Sequence, residues 1–367
     1  VFVFRQDIAV FADNLAMVFE EPEYAQGLDD ADAVLAYLDD HRDGVSLVFY
    51  TVGEDGGEDE VFSHRGDAHR VLASTMKIVV LGAYAAEVAD GGLDPDAPVP
   101  VRDLEGFYLE ETDGGAHAKA MTKLGVAVDA HGYATDPGAS IRLDDVASVM
   151  IRFSDNAATD YLIDRLGPDL AGRMASAPIE AHDPIPTILG RFLSMGDHEK
   201  GRVSLDEAKA MNAEDPASRL ARESALQDAY VRVQMEAMRA MPGSTASSYA
   251  SIQARVATDR FVSPAVSAHM REHLEWPMAF PSNQREFAHF GTKGGSVPGV
   301  LTEASFLEPL EGDFAGKTRV VVLFMNEMSL AAWATLMGTY AQQQFTVKIA
   351  TDRAFADKVA TTLGQAL

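Results

Sequence analysis

The strand-like segments of this chain lie near its two ends, with helix-patterned sequence between them. Val45 to Val52 and Val61 to His64 are short, β-branched or aromatic runs. The turn-forming stretch Gly53 to Glu60 separates them, which predicts a hairpin. From about Leu143 to Leu274 the apolar residues recur at helical spacing. Strand character then returns in Phe287 to Gly291, Val300 to Phe306 and Thr318 to Asn326, and helix resumes near Leu330. Such segments share a sheet only if the two ends of the chain come together. The expectation is an α/β (α+β) fold: an antiparallel sheet built from both chain ends, flanking helices, and an all-helical lobe.

Helical patterns cover residues 5–20 and 29–41, the second with Ala31, Val34, Leu35 and Leu38 on one face. We divide the chain into an N-terminal helical segment, 1–28, and one domain, 29–367. Within that domain the sheet lobe takes about 29–70 and 285–367, and the helical lobe about 71–284. The stretch from 191 to 241 is longer than a compact core requires. Its helical part, from about Pro216, carries Leu220, Val231, Met235 and Met238 on one face, as core filler or as a cap over a cleft.

Charge removes whole classes of partner. A balance of −26 repels a phosphate backbone and an anionic membrane surface, so nucleic acid is not an expected ligand. With no cysteine there are no disulfides and no thiolate metal sites. No apolar run reaches the length of a membrane span. The chain starts at Val1, so a removed leader would imply a periplasmic or secreted protein and its absence a cytoplasmic one.

Three short motifs carry chemistry. Ser74-Thr75-Met76-Lys77 opens a segment, to about Val88, that is apolar on almost every side and therefore a buried helix. Residues three apart share a helical face, so the amine can reach the hydroxyl, and burial favours the neutral amine that takes a proton. About half an S-x-x-K is expected by chance in this composition, and alone it is equally a helix cap with a snorkelling lysine. Ser154-Asp155-Asn156 falls on a turn between two helical stretches, where chance supplies only about 0.03 copies. In His289-Phe290-Gly291-Thr292-Lys293-Gly294-Gly295-Ser296, Lys293 stands at a sheet edge and the glycines let a ligand approach the backbone.

The order S-x-x-K, S-D-N, then a lysine-glycine triplet on a late strand resembles the serine β-lactamase and penicillin-binding-protein superfamily, from about Asp29 to Leu367. The resemblance implies a β-lactamase/transpeptidase-like fold and a class A-like site. In it Ser74 attacks a carbonyl, Lys77 takes its proton, and Ser154 with Lys293 relays a proton to the leaving group. Asn156, Thr292, Gly295 and Ser296 would bind substrate, and the backbone N–H groups of Ser74 and Ser296 would form the oxyanion hole. It implies no metal and no cofactor, and a small ester, β-lactam or peptide-like substrate.

The chain also departs from that pattern. Glycine follows Lys293 where many relatives have a hydroxyl residue. No E-x-x-L-N segment, which supplies the deacylating carboxylate of class A enzymes, occurs from Ala177 to Phe192; Glu180 and Asp183 are the carboxylates there. Thr112-Asp113-Gly114-Gly115-Ala116-His117 and Ile185 to Phe192 are similar to segments of a subgroup that includes a cephalosporin-esterase-like protein of clavam biosynthesis. That places 113–117 at the cleft border, or on a Gly-Gly turn with a surface histidine. The expected activity is esterase-like; a true β-lactamase, a D,D-peptidase and a non-catalytic binding protein of the same fold are the alternatives.

Overall fold

The computed structural model describes residues 27–108, 113–167, 169–170, 172, 179, 181–189 and 241–364. The expected helix at 5–20, Glu180 and the stretch from 191 to 240 lie outside the described residues. In chain order the labelled elements are α1 (Ala31–Asp40), β1 (Val45–Val52), β2 (Glu58–His64), α2 (Lys77–Ala89), α3 (Ala116–Lys123), α4 (Leu143–Arg152) and α5 (Asn156–Leu166). They continue as α6 (Ala246–Ala257), α7 (Pro264–Leu274), β3 (Phe287–Val297), β4 (Val300–Pro309), β5 (Arg319–Met325), α8 (Leu330–Thr339), α9 (Ala341–Thr351) and α10 (Arg353–Gly364). Two compact units result. One holds the described residues of 77–172 and 184–189, the other those of 27–76, 179–183 and 241–364.

The second unit is built on a five-stranded antiparallel sheet of order β2-β1-β5-β4-β3. The fold class expected from the strand positions is therefore the one observed. Every residue of β5 is buried, as a central strand covered on both faces requires, and its sequence Arg-Val-Val-Val-Leu-Phe-Met accordingly lacks polar alternation. On one face Val34, Leu35 and Leu38 of α1 join Phe345 and Ile349 of α9 and Phe355 of α10 against Leu47, Phe49, Val321 and Leu323. Asp30 caps α1 by accepting from Ala33 N at 2.8 Å. On the other face Tyr249 of α6 meets Phe324 edge-on, and Gln253 Nε2 donates to Ala304 O at 2.7 Å. Helices α6 and α7 thus belong to the sheet unit, whereas the division at 284 set them in the helical lobe. Periodicity marks a helix's apolar face but not the element that covers it.

The first unit is helical. Helix α2 has buried residues on all sides, from Lys77 to Ala86, and packs with α4 and α5. The apolar segment from Ser74 does not start as α-helix: Ala73–Met76 forms a 3₁₀ turn and the α-helix begins at Lys77. Among the described residues no helix is long and apolar enough to cross a membrane.

Edge strand β3 pairs with β4 in a register that sets Gly291 opposite Phe306. A Cβ at 291 would lie 2.2 Å from Phe306 Cζ, so the ring occupies the space of the missing side chain. Gly291→Ala should cost about 1–3 kcal/mol as an overpacked site. Phe306→Leu in the same chain should recover part of the loss in urea unfolding; an unchanged midpoint for the single variant would refute the packing argument.

Candidate active site

Within the sheet unit, Ser74 sits partly exposed on the 3₁₀ turn between buried Ala73 and Thr75. Ala73 has φ +47°, a left-handed backbone that costs a residue with a side chain about 1–3 kcal/mol and persists only when its surroundings impose it. The imposing contacts are visible. Thr75 Oγ1 and Thr302 Oγ1 share a hydrogen bond of 2.7 Å, and Thr302 Oγ1 donates to Leu72 O at 2.8 Å. Strand β3 comes so near that a Cβ on Gly295 would stand 2.7 Å from Ser74 N and 2.6 Å from Leu72 O. Only glycine permits that approach.

Lys293 is 4% exposed and donates to Gly294 O. Burial pulls its pKa down to about 8, opposed by the charge of Glu303. The other named residues of β3 turn their side chains to internal partners. Thr292 Oγ1 donates to Glu303 and shares a 2.8 Å hydrogen bond with Ser305, while Ser296 Oγ accepts from Trp333 Nε1 at 2.9 Å. Both hydroxyls are thus engaged inside the unit. The glycine after Lys293 has a local cause as well, since a Cβ at 294 would begin 3.0 Å from Glu303 Oε2.

Within the helical unit, Lys77 is fully buried, and its Nζ donates to Ser154 O at 2.6 Å, Ser154 Oγ at 3.2 Å and Asn156 Oδ1 at 2.7 Å. Residues 77 and 79 places apart in sequence are thereby joined at one amine. Ser154 takes φ +61°, which aims both its carbonyl and its hydroxyl at that amine. Asp155, the middle of the triplet, caps α5 by accepting from Ala158 N at 3.1 Å and is 0% exposed.

Two residues of this unit were not singled out as functional by the motifs. His117 is 0% exposed, and its Nδ1 meets Asp155 Oδ2 at 2.9 Å, so the surface histidine allowed by the Gly-Gly turn is corrected to a core one. Its signal in the sequence was only proximity to Gly114 and Gly115. Asp160, four residues after Asn156 on α5, accepts from Ile188 N and Leu189 N, each at 2.7 Å. Complete burial pushes its pKa up to about 7 against those two donors. Asp183 belongs to the sheet unit, half-exposed, and accepts from Gly243 N at 2.9 Å.

A family model described as the beta-lactamase enzyme family matches residues 31–327, which include all three motifs. The chain belongs to that family. As a serine β-lactamase and penicillin-binding-protein relative it also resembles solved structures of that fold. A β-lactamase from Sphaerobacter thermophilus is 20% identical, with 86% of this chain and 98% of that one covered and a TM-score of 0.50. A β-lactamase from Chitinophaga pinensis is 12% identical over 85% and 98%, with a TM-score of 0.51. The reconstructed class A β-lactamase of the last common ancestor of Gram-negative bacteria is 17% identical over 87% and 98%, with a TM-score of 0.51. No curated protein matches this β-lactamase-family chain.

The Asp160 anchor can be tested by pH. A carboxyl whose pKa rises on folding from the ordinary 3.8 to about 7 adds stability that is complete below 3.8 and is lost as pH rises through about 7. Asp160→Asn should therefore show a shallower fall in Tm than the parent across that window. Equal slopes would assign the titration to another group.

Proposed function

We propose that this chain is a serine hydrolase that acts through an acyl-enzyme on Ser74 and turns over small esters faster than β-lactams. The observation supporting it is the buried Lys77 amine held by Ser154 and Asn156, three residues along the chain from Ser74. Ser74 Oγ attacks the carbonyl carbon as Lys77 takes its proton, and the C–O or C–N bond to the leaving group then breaks. Ser154 passes the proton to the departing atom, with Lys293 assisting. Water attacks the acyl-enzyme in turn and restores Ser74. Backbone N–H groups of Ser74 and Ser296 hold the oxyanion, and Asn156 holds the acyl side of the substrate.

The preference for esters rests on what the deacylation half lacks. No E-x-x-L-N segment follows the Ser154 turn. Among the described residues of 179–189 the carboxylate is Asp183, which is tied to Gly243 N. Asp160 holds the backbone of Ile188 and Leu189 with both oxygens. A lactam-derived acyl group stays tethered and blocks water, whereas a small acyl group leaves room for a water activated by Lys77. The closest alternative is a true β-lactamase, such as the similar Sphaerobacter thermophilus protein is named.

Incubation with a fluorescent penicillin, followed by intact-mass measurement, should give a burst of one adduct per chain and slow release, while activated short-chain esters turn over repeatedly. Ser74→Ala should abolish both reactions with little loss of fold, about 1 kcal/mol for a partly exposed hydroxyl on the 3₁₀ turn. Lys77→Ala should slow adduct formation by about a hundredfold or more. A β-lactam kcat equal to or above the ester kcat would overturn the ester preference, and an active Ser74→Ala would overturn the nucleophile.

A further inference from the structure

The helical unit contains a buried histidine–carboxylate pair that the acyl-enzyme chemistry does not use directly. His117 on α3 and Asp155 at the start of α5 are both 0% exposed and meet at 2.9 Å. Burying two ionisable groups costs several kcal/mol unless geometry and further hydrogen bonds offset it. Here the further bonds all serve the turn between α4 and α5. Asp155 N donates to Val149 O, its second carboxylate oxygen accepts from Ala158 N, and its carbonyl accepts from Thr159 Oγ1 at 2.7 Å. The residue before it is Ser154, in a left-handed conformation, with its carbonyl and hydroxyl on Lys77 Nζ.

The imidazole is itself fixed from several sides. Tyr108 stacks on it at 4.4 Å, and His117 N donates to Asp113 Oδ2 at 2.7 Å. Nε2 has no hydrogen-bond partner among the described residues. The charged groups facing the ring are Asp155 at the N-cap of α5, Asp113 before α3 and Glu105 at the end of the helix Val101–Glu105. Burial opposes charge on both partners. Asp155 nevertheless holds His117 above its ordinary pKa, and His117, by charge and hydrogen bond, holds Asp155 below its own. Those directions are the ones expected of an ion pair.

We infer that His117 is a positioning residue for the hydrolytic site: through Asp155 it clamps the Ser154 turn in the left-handed conformation that presents two oxygens to Lys77. The kinetic part of this inference rests on the acyl-enzyme reading above, whereas the geometric part does not. Without the imidazole, Asp155 is a buried carboxylate with an empty side, and the turn is free to relax toward the right-handed region that Ser154 prefers.

The test uses His117→Ala and His117→Asn, whose amide can donate from near the Nδ1 position. Crystal structures should show Ser154 leaving its positive φ, and the Lys77 Nζ to Ser154 O hydrogen bond broken, in the alanine variant and kept in the asparagine variant. Ser74 acylation should fall by about tenfold or more in His117→Ala, the scale of a misplaced catalytic group, with KM for the ester little changed. It should be largely restored in His117→Asn. If alanine prevents folding, His117→Gln, which moves the donor outward by one methylene, should show the same slowing. Parent-like acylation in the alanine variant, slow acylation with an unmoved turn, or a moved turn without slowing would each overturn the inference. If labelling of the parent does not depend on Ser74, the hydrolase reading fails, and the turn geometry alone decides the role of His117.

Discussion

A fully buried lysine amine organises the helical half of this protein. Among the described residues, the N–H donors of Lys77 Nζ are met by the carbonyl and hydroxyl of Ser154 and by Asn156 Oδ1. Leaving any of those donors unpaired in the interior would cost on the order of 1–3 kcal/mol or more, so the acceptors must be held in place. That demand explains a backbone that would otherwise be unfavourable. Ser154 carries φ +61°, and the residues beyond it are tied down by the Asp155 cap. The S-D-N triplet is therefore a structural solution to a buried amine.

The sheet half meets a different constraint, the close approach of backbone to backbone. The Ser74 turn lies against β3 at Gly295, and the left-handed Ala73 is held by the Thr75 and Thr302 hydroxyls and the Leu72 carbonyl. Side chains on this strand are committed inward, Thr292 to Glu303 and Ser296 to Trp333. Lys293 is likewise buried, with its amine on Gly294 O. Of the nine lysines, Lys77 and Lys293 are fully or almost fully buried.

Asp160 shows how one residue type can be diverted to another task. A carboxylate four residues beyond Asn156 is well placed in sequence to be taken for a base. Its two oxygens instead hold the Ile188 and Leu189 amides, so it anchors a segment. Burial raises its pKa to about 7 against those two donors.

The sequence by itself determined the class of fold, the family and the order of the motifs. Strand-patterned runs near both ends point to a shared sheet once the two ends come together, and three motifs in fixed order are improbable by chance. Helix α1 was legible to its apolar face, because i, i+3, i+4 and i+7 spacing needs no knowledge of what covers it. Only the tertiary structure decided that α6 and α7 lie with the sheet, since amphipathic spacing names a buried face and not its partner. It alone turned His117 from a loop residue beside two glycines into the buried partner of Asp155, 38 residues away. It also directed the Thr292 and Ser296 hydroxyls to Glu303 and Trp333. Motifs record which groups are near in sequence, whereas the cost of burying a polar group is settled by neighbours that only folding brings within hydrogen-bonding distance.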